Sequence, residues 1–173
     1  MAAQQNINIR PATPADCDEI MRLIIELFDY EKLEDQVEMT VEVLRRDCFG
    51  EKPLFYCIVA EPAQKDSSKL VGYALYCSIY STLVGASVYL EDIYVTPAYR
   101  TRGIGKQMMK HVTKAALDMG CSRLQLSVLG WNKMAKDFYS RYGYVDVTEK
   151  QDWHVMRMQR KAMEEYVKNI NIE

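Results

Sequence analysis

Residues 90–106 read LEDIYVTPAYRTRGIGK, and this stretch decides the fold. The residues up to Val95 are rich in β-branched and aromatic side chains, which predict a strand. The glycines Gly103 and Gly105 then mark a turn that opens a helix. A turn of this kind presents backbone N–H groups and the positive end of a helix dipole, and both attract phosphate. The sequence therefore predicts a phosphate-binding turn directly after a strand.

The charges and spacing around this turn narrow the kind of phosphate ligand. Residues 100–114 contain five Lys or Arg and no Asp or Glu. These charges favour an anionic ligand, although a solvated basic helix face would show them too. A dinucleotide fingerprint needs glycine where Met108 stands, and a Walker A loop needs Ser or Thr where Gln107 stands. The pattern that remains is R-x-x-G-x-G, formed by Arg100, Gly103 and Gly105.

The elements around the turn alternate between strands and helices. A strand over 87–95, a helix over 103–119, a strand over 123–129 and a helix from Asn132 to Arg141 follow one another. This order places two strands in parallel and predicts an α/β protein. Further strands are predicted over 7–10, 54–60, 70–80, 144–147 and 154–158, with a polar hairpin loop over 62–69. Further helices are predicted from Asp16 onward, from the cap Thr40 to Gly50, and over 161–168. The first of these helices carries an apolar stripe formed by Ile20, Leu23, Ile24, Leu27 and Phe28.

Length, composition and charge exclude several classes of protein. The chain has 173 residues, 49% of them hydrophobic and 27% charged, which suits one globular domain over 1–173. Its formal charge of −2 argues against a nucleic-acid-binding protein, and the lack of an 18-residue apolar run argues against a membrane span. Because the first residues show no secretory-signal pattern, we expect a cytoplasmic protein. Five scattered cysteines and only two histidines predict neither a disulfide framework nor a metal site.

Several motifs in order carry a resemblance to a known family. The sequence resembles the GCN5-related N-acetyltransferase (GNAT) superfamily, and within it the diamine (spermidine/spermine) acetyltransferase family, which includes thialysine acetyltransferases. The resemblance covers residues 7 to 158. The stretches that carry it are 9–13 (IRPAT), 89–95 (YLEDIYV), 103–105 (GIG), Trp131-Asn132, Phe138-Tyr139 and Trp153.

The resemblance implies both a fold and a co-substrate. The fold is a mixed, strongly bent central sheet, splayed between two central strands and flanked by helices, with acetyl-CoA in the opening and no metal. The backbone of Ile93 and Val95 would pair with pantetheine, and residues 101–106 would cradle the pyrophosphate. The cofactor-binding residues implied are Ile93, Tyr94, Val95, Arg100, Thr101, Arg102, Gly103, Ile104, Gly105, Lys106, Asn132, Lys133, Met134 and Ala135.

Acetylation of an amine needs a base, an oxyanion donor and an acid. A primary amine has a pKa near 10, so a base must take a proton from it near neutral pH. By resemblance, Glu91 is the expected base, acting through a water, and Tyr139 is the acid that protonates the CoA thiolate. The expected oxyanion donor is a backbone N–H freed by a bulge in the strand over 91–95. From the local sequence alone, Glu91 could instead pair with a cationic substrate, and Tyr139 could be a packing residue.

The expected amine site is acidic. Residues 16–51 contain twelve Asp or Glu against four Lys or Arg, which suits either a solvated surface or the attraction of a cationic amine. Two departures from the family pattern stand out. Gln151 replaces a substrate-binding Glu of the polyamine enzymes, which favours a shorter amine such as thialysine, and Thr101-Arg102 replaces a pair that contains glycine. The substrate-binding residues implied are Tyr30, Glu31, Glu91, Asp92, Gln151 and Trp153.

The leading expectation is therefore a small-amine acetyltransferase. Two alternatives remain: an acetyltransferase that acts on lysines or N-termini of proteins, and a non-catalytic acetyl-CoA-binding module. The resemblance also implies a homodimer. The apolar residues Met163, Tyr166, Val167 and Ile170 could supply part of its interface, or they could equally pack on their own sheet.

Overall fold

The computed structural model describes residues 6–63 and 69–169. The chain divides into two compact units, Met1–Ser127 and Val128–Glu173. The hairpin loop that the sequence predicts over 62–69 falls mostly outside the described residues, as does Ile170.

Among the described residues, the first unit contains five strands and three α-helices. Its strands are β1 (Ile7–Pro11), β2 (Tyr56–Pro62), β3 (Gly72–Ser81), β4 (Gly85–Val95) and β5 (Arg123–Leu126). Its helices are α1 (Cys17–Glu31), α2 (Val41–Phe49) and α3 (Ile104–Asp118). The strands pair in the order β1-β2-β3-β4-β5, antiparallel throughout except for the parallel pair of β4 and β5. The predicted parallel pair and the mixed α/β class are thus confirmed.

The pair of β4 and β5 is short, and this shapes the sheet. Its register runs from Ser87 opposite Arg123 to Leu90 opposite Leu126. From there β4 continues for five residues, to Val95, beyond its last partner on β5. The sheet therefore opens along this part of β4, as the expected splayed sheet requires. Among the described residues β5 is an edge strand of the sheet, not a central one.

Helices cover both faces of the sheet. The apolar stripe of α1 is buried against Val59, Tyr73, Leu75 and Tyr94 of the strands, together with α2. Because side chains alternate along a strand, Ala74 and its neighbours of the same parity face the opposite side, where α3 packs against β3 and β4. The predicted stripe and cap are confirmed: Ile20, Leu23, Ile24 and Leu27 are buried, and the Thr40 hydroxyl accepts a hydrogen bond from the Val43 N–H at 3.3 Å.

The second unit contains the helices α4 (Lys133–Ser140), α5 (Val147–Gln151) and α6 (Arg160–Asn169). The predicted helices over 132–141 and 161–168 correspond to α4 and α6. The predicted strands over 144–147 and 154–158 are wrong. Asp146 caps α5 by accepting from the N–H groups of Thr148 and Glu149, so the chain turns into a helix there. A strand over 154–158 would need a partner, and the described part of this unit holds no strand.

The described residues give three further findings, on membrane spans, cysteines and metal sites. None of their helices is both long enough and apolar enough to cross a bilayer. All five cysteines are free thiols, and Cys17, Cys48 and Cys57 are buried in the core between α1, α2 and β2. Within the same residues, no group of three His, Cys, Asp or Glu side chains is arranged to hold a metal ion.

Candidate active site

A β-bulge interrupts β4 at Glu91. Asp92 lies opposite Leu75, but the next residue of β3, Tyr76, lies opposite Leu90, so Glu91 has no partner on β3. The extra residue of a bulge is left out of the ladder of hydrogen bonds, and the strand bends at that point. The bulge expected in residues 91–95 is confirmed, and it falls at Glu91, the residue expected to act as the base.

The bulge also sets which side chains share a face. Residues that are paired across two strands point to the same side of the sheet. Leu90 therefore shares the α3 face with Tyr76, whereas Asp92 shares the α1 face with Leu75. Without the bulge, strict alternation would place Leu90 and Asp92 on one face.

Asp92 lies in an acidic group on the α1 face. Burial raises its pKa to about 6, and the charges of Glu91 and Glu31 add to this effect. Burial also raises the pKa of Glu31, at the end of α1. Glu91 is exposed, yet its charge contributes to the raised pKa of the Cys77 thiol, for which burial is the larger cause. A carboxyl whose pKa is raised by burial and by neighbouring carboxylates favours a nearby cation and can accept a proton near neutral pH.

The hydroxyl of Tyr73 is the hydrogen-bond partner of Asp92. It donates to Asp92 Oδ2 at 2.9 Å from a side chain that is fully buried in β3. This bond lowers the pKa of the carboxyl and so opposes part of the effect of burial. Tyr73 is not predictable from the sequence, because one tyrosine among twelve carries no local signal. Only the register of β3 with β4 reveals the contact.

Arg100 ties the turn after β4 to α1 and to the strand itself. Its guanidinium carbon lies 5.1 Å from the ring centre of Tyr30 and 5.3 Å from that of Tyr94. Its Nε donates to the carbonyl oxygen of Val95 at 2.8 Å. Tyr94 in turn donates to Glu26 of α1 at 3.3 Å. Tyr30, expected to bind substrate, and Arg100, expected to bind cofactor, are therefore in contact.

The turn between Arg100 and α3 has the backbone that the glycine pattern predicts. Gly103 precedes α3 with a φ of +80°, in the left-handed region that glycine adopts readily. Thr101 also has a positive φ, +62°, which is unusual for a β-branched residue. This is the position at which the chain departs from the glycine-containing pattern of the family. The first turn of α3, from Ile104 through Gln107, carries no carboxylate and one lysine, so its N–H groups and dipole suit an anion.

Further predicted residues flank this turn or lie within it. Arg102 donates to the carbonyl oxygen of Ala98 at 2.9 Å, and its guanidinium lies 5.1 Å from the ring centre of Tyr99. Gly105 and Lys106 lie in the first turn of α3. The first unit thus brings together the predicted residues of β4, of the turn and of the C-terminal end of α1.

The second unit holds the remaining predicted residues. Asn132 caps α4 by accepting from the N–H of Ala135 at 3.1 Å, and Lys133 and Met134 form the first turn of that helix. Tyr139 belongs to an aromatic cluster, with its ring centre 5.5 Å from Phe138 and 5.4 Å from Tyr144.

Gln151 and Trp153 are joined to each other in this unit. The indole N–H of Trp153 donates to Gln151 Oε1 at 2.9 Å, and both side chains are exposed. The amide of Gln151 is uncharged, so it cannot form an ion pair with a second ammonium group of a substrate.

Comparison with known proteins identifies relatives over most of the chain. Residues 18–144 match the family described as "Acetyltransferase (GNAT) family". Over 164 residues the chain is 50% identical to "Thialysine N-epsilon-acetyltransferase" of Sus scrofa, which covers 92% of this chain and 96% of that protein.

Solved structures share the fold. An integron cassette protein from the mobile metagenome of V. cholerae superposes with a TM-score of 0.74 at 23% identity, over 94% of this chain and 98% of that one. An aminoglycoside N-acetyltransferase in complex with CoA has a TM-score of 0.68 at 16% identity, over 90% of this chain and 95% of that one. At these identities the likeness concerns the fold alone.

Proposed function

The chain belongs to the acetyltransferase (GNAT) family, and we propose that it moves the acetyl group of acetyl-CoA to a primary amine of a small cationic substrate. The substrate class is thialysine or a related amino acid, diamine or polyamine. The 50% identity to a thialysine N-epsilon-acetyltransferase supports this class, since that protein is matched over almost its whole length. The chain is accordingly an N-acetyltransferase.

One observation carries the proposal: the bulge at Glu91 lies on the same strand that leads into the predicted phosphate-binding turn. At about 3.3 Å per residue, Glu91 and Val95 are roughly 13 Å apart along β4. The acidic group formed by Glu31, Glu91 and Asp92 therefore lies at one end of an open strand segment, and the turn before α3 follows its other end. A cationic amine and an anionic co-substrate would be held by one continuous piece of chain.

The residues present fit acetyl-CoA. The open edge of β4 after Leu90 would pair with the pantetheine through the backbone of Ile93 and Val95, and the turn over 101–106 would hold the pyrophosphate. Residues 132–135 of the second unit would add further contacts. When bound, acetyl-CoA supplies an acetyl thioester.

Two side chains would move protons. Glu91 would accept a proton from the incoming ammonium through a water, because the bulge leaves it outside the ladder of β4 and exposed. Tyr139 would donate a proton to the departing thiolate, since a tyrosine keeps its proton at neutral pH. A backbone N–H freed by the bulge would donate to the thioester carbonyl oxygen.

The acceptor end of the site favours a short amine. Tyr30, Glu31 and Asp92 would contact the cationic amine, and Gln151 and Trp153 are the further substrate-binding residues that the family resemblance implies. Gln151 has no charge for the distal ammonium of a polyamine, and its amide oxygen already accepts from Trp153. This supports thialysine, or another short amine, over spermidine.

We further propose that residues 1–173 form one N-acetyltransferase domain and that the enzyme acts in the cytoplasm as a homodimer, without binding nucleic acid or membranes. The family match from 18 to 144 supports one domain, because it spans residues of both units. The exposed side chains of Met163, Tyr166 and Val167 on α6 are available for a second copy. A solution mass of one chain, about 20 kDa, would contradict the dimer.

A panel of acceptors tests the function. The enzyme is assayed with acetyl-CoA and, in turn, thialysine, lysine, putrescine, spermidine and a histone-tail peptide, with product mass as the readout. We expect the highest kcat/KM for thialysine or another short amine. Preference for the peptide would favour a protein acetyltransferase. Retained CoA binding without turnover would favour a non-catalytic module, and either result would overturn the proposal.

A further inference from the structure

Tyr73 is a polar side chain placed deep in an apolar core. It is fully buried in β3, within the cluster that includes Leu23 and Val59. A buried hydroxyl needs a partner, because an unpaired polar group is costly away from water. The partner is Asp92 Oδ2, 2.9 Å away on the neighbouring strand.

The register makes this contact a fixed feature of the sheet. Tyr73 lies opposite Tyr94, and Asp92 lies two residues before Tyr94 on the same face, so the two side chains are diagonal neighbours. Burial and the charge of Asp92 raise the pKa of Tyr73 well above its ordinary value. Its hydroxyl therefore keeps its proton and remains a donor at neutral pH.

The bond orients a carboxylate that lies beside two others. It uses Oδ2 of Asp92, while Glu31 and Glu91 lie close enough to act on the same group electrostatically. A hydrogen bond from a rigid donor to one oxygen restricts the orientation of a carboxylate, and so restricts the direction of its second oxygen. Cys57 of β2 is a further titratable group near Asp92.

We propose that Tyr73 is a positioning residue of the amine site, which holds Asp92 so that Oδ1 of its carboxylate receives the cationic amine of the substrate. This rests on the proposed function. Tyr73 touches no substrate in this arrangement and acts only through Asp92. It also keeps Asp92 ionised, because a hydrogen bond donated to a carboxylate stabilises the charged form.

The test compares Tyr73→Phe with Tyr76→Phe. Tyr76 is a matched control, since it is a buried tyrosine three residues along β3 whose register places it on the α3 face. For Tyr73→Phe we expect KM for the amine to rise about tenfold, as for loss of a hydrogen bond to a charged group. The kcat should change less than about twofold and KM for acetyl-CoA should stay unchanged. The acidic limb of kcat/KM should move to higher pH, because Asp92 is protonated more easily.

Adding the same substitution to a second variant distinguishes the positioning of Asp92 from a general structural effect. In Asp92→Asn, the added Tyr73→Phe change should have no further effect on KM for the amine. An equal rise in KM in both backgrounds, or equal KM values for Tyr73→Phe and Tyr76→Phe, would overturn the proposal. Thermal unfolding of each variant shows whether it is folded.

A readout independent of turnover keeps this inference distinct from the proposed function. The pKa of Asp92, followed by the NMR signal of its carboxyl carbon, should be higher in Tyr73→Phe than in the wild type. If the wild type acetylates none of the panel, the proposed function fails, and this titration still tests the Tyr73–Asp92 bond. If the wild type is active and the pKa does not move, only the inference fails.

Discussion

The Nε of Arg100 donates to the carbonyl oxygen of Val95 at 2.8 Å, which fastens the turn before α3 to the last residue of β4. The same guanidinium lies over the rings of Tyr30 and Tyr94. The Arg100 side chain therefore links the turn to the end of β4, and the same side chain also contacts α1.

Replacing Arg100 with glutamine should loosen this turn. The variant loses the bond to Val95 and both ring contacts, so the N–H groups of the turn are held less firmly. We expect KM for acetyl-CoA to rise about tenfold, as for loss of a charge-assisted hydrogen bond. Steady-state kinetics with acetyl-CoA varied measures this. Lys110→Gln removes one charge from the same basic stretch, so equal effects of the two variants would mean that charge alone matters.

Asp92→Asn should stabilise the fold while it weakens the site. The folded-state pKa of about 6 exceeds the ordinary value of 3.8, so the folded state binds more protons between these values and loses stability as pH rises through them. Two pH units correspond to about 3 kcal/mol as an upper bound. The asparagine side chain can still accept a hydrogen bond from the Tyr73 hydroxyl, but it has no charge to repel Glu31 and Glu91. Urea unfolding should show the variant more stable than the wild type at pH 7.5, with little difference at pH 4.

Asp16→Asn is a control for which we expect the opposite change in folding stability. Its hydrogen bonds with Arg10 lower the pKa of Asp16 to about 2, so it contributes stability above pH 4 that is lost as pH falls through 2. This variant should be less stable than the wild type at pH 7.5, and the gap should narrow in acid. If Asp92→Asn behaved in the same way, the Asp92 carboxylate would be a stabilising group.

The sequence predicted the framework of this site well, for reasons that are local. Each of three features depends on residues that are close together in the sequence, and each forms as predicted. They are the helix cap at Thr40, the glycine before α3 and the apolar stripe of α1. The bulge at Glu91 was expected only through the family resemblance, because periodicity does not reveal an extra residue.

Contacts between residues far apart in the sequence were not predictable. The lack of a partner strand for residues 154–158 was not predictable either. The bond from Tyr73 to Asp92 joins residues 19 apart, and only the register of two strands creates it. The strand predicted over 154–158 rested on composition alone. Strand formation depends on a neighbour, and residues 154–158 have none among the described residues of their unit.

Tyr139→Phe should abolish the proposed proton donation while leaving the aromatic cluster intact. We expect kcat to fall about 100-fold, in the range of general acid catalysis, with little change in thermal stability. Tyr142→Phe is the control, because Tyr142 packs on the same Phe138 ring with centres 5.1 Å apart. Calorimetric CoA binding should be unchanged in both. Full turnover in Tyr139→Phe would refute its role as the acid.

Gly72→Ala should destabilise the sheet where β3 pairs with the end of β4, the segment of β4 that has no partner on β5. An added Cβ would lie 2.7 Å from the backbone oxygen of Tyr94 and 3.3 Å from the Met108 sulfur. The sulfur can shift, but the backbone oxygen is held in the β3–β4 ladder, so we expect a loss of about 2 kcal/mol. At Gly130 the added Cβ meets no described atom within 4 Å. Chemical unfolding should therefore show a smaller loss for Gly130→Ala.

The most direct test is the pH dependence of kcat/KM for the preferred amine in the wild type and in Glu91→Gln. If Glu91 takes the proton, the variant should be about 100-fold slower at pH 7. The deficit should shrink toward pH 10, where the amine loses its proton to solvent. Wild-type and variant profiles that run parallel from pH 6 to 10 would contradict a base at the bulge of β4.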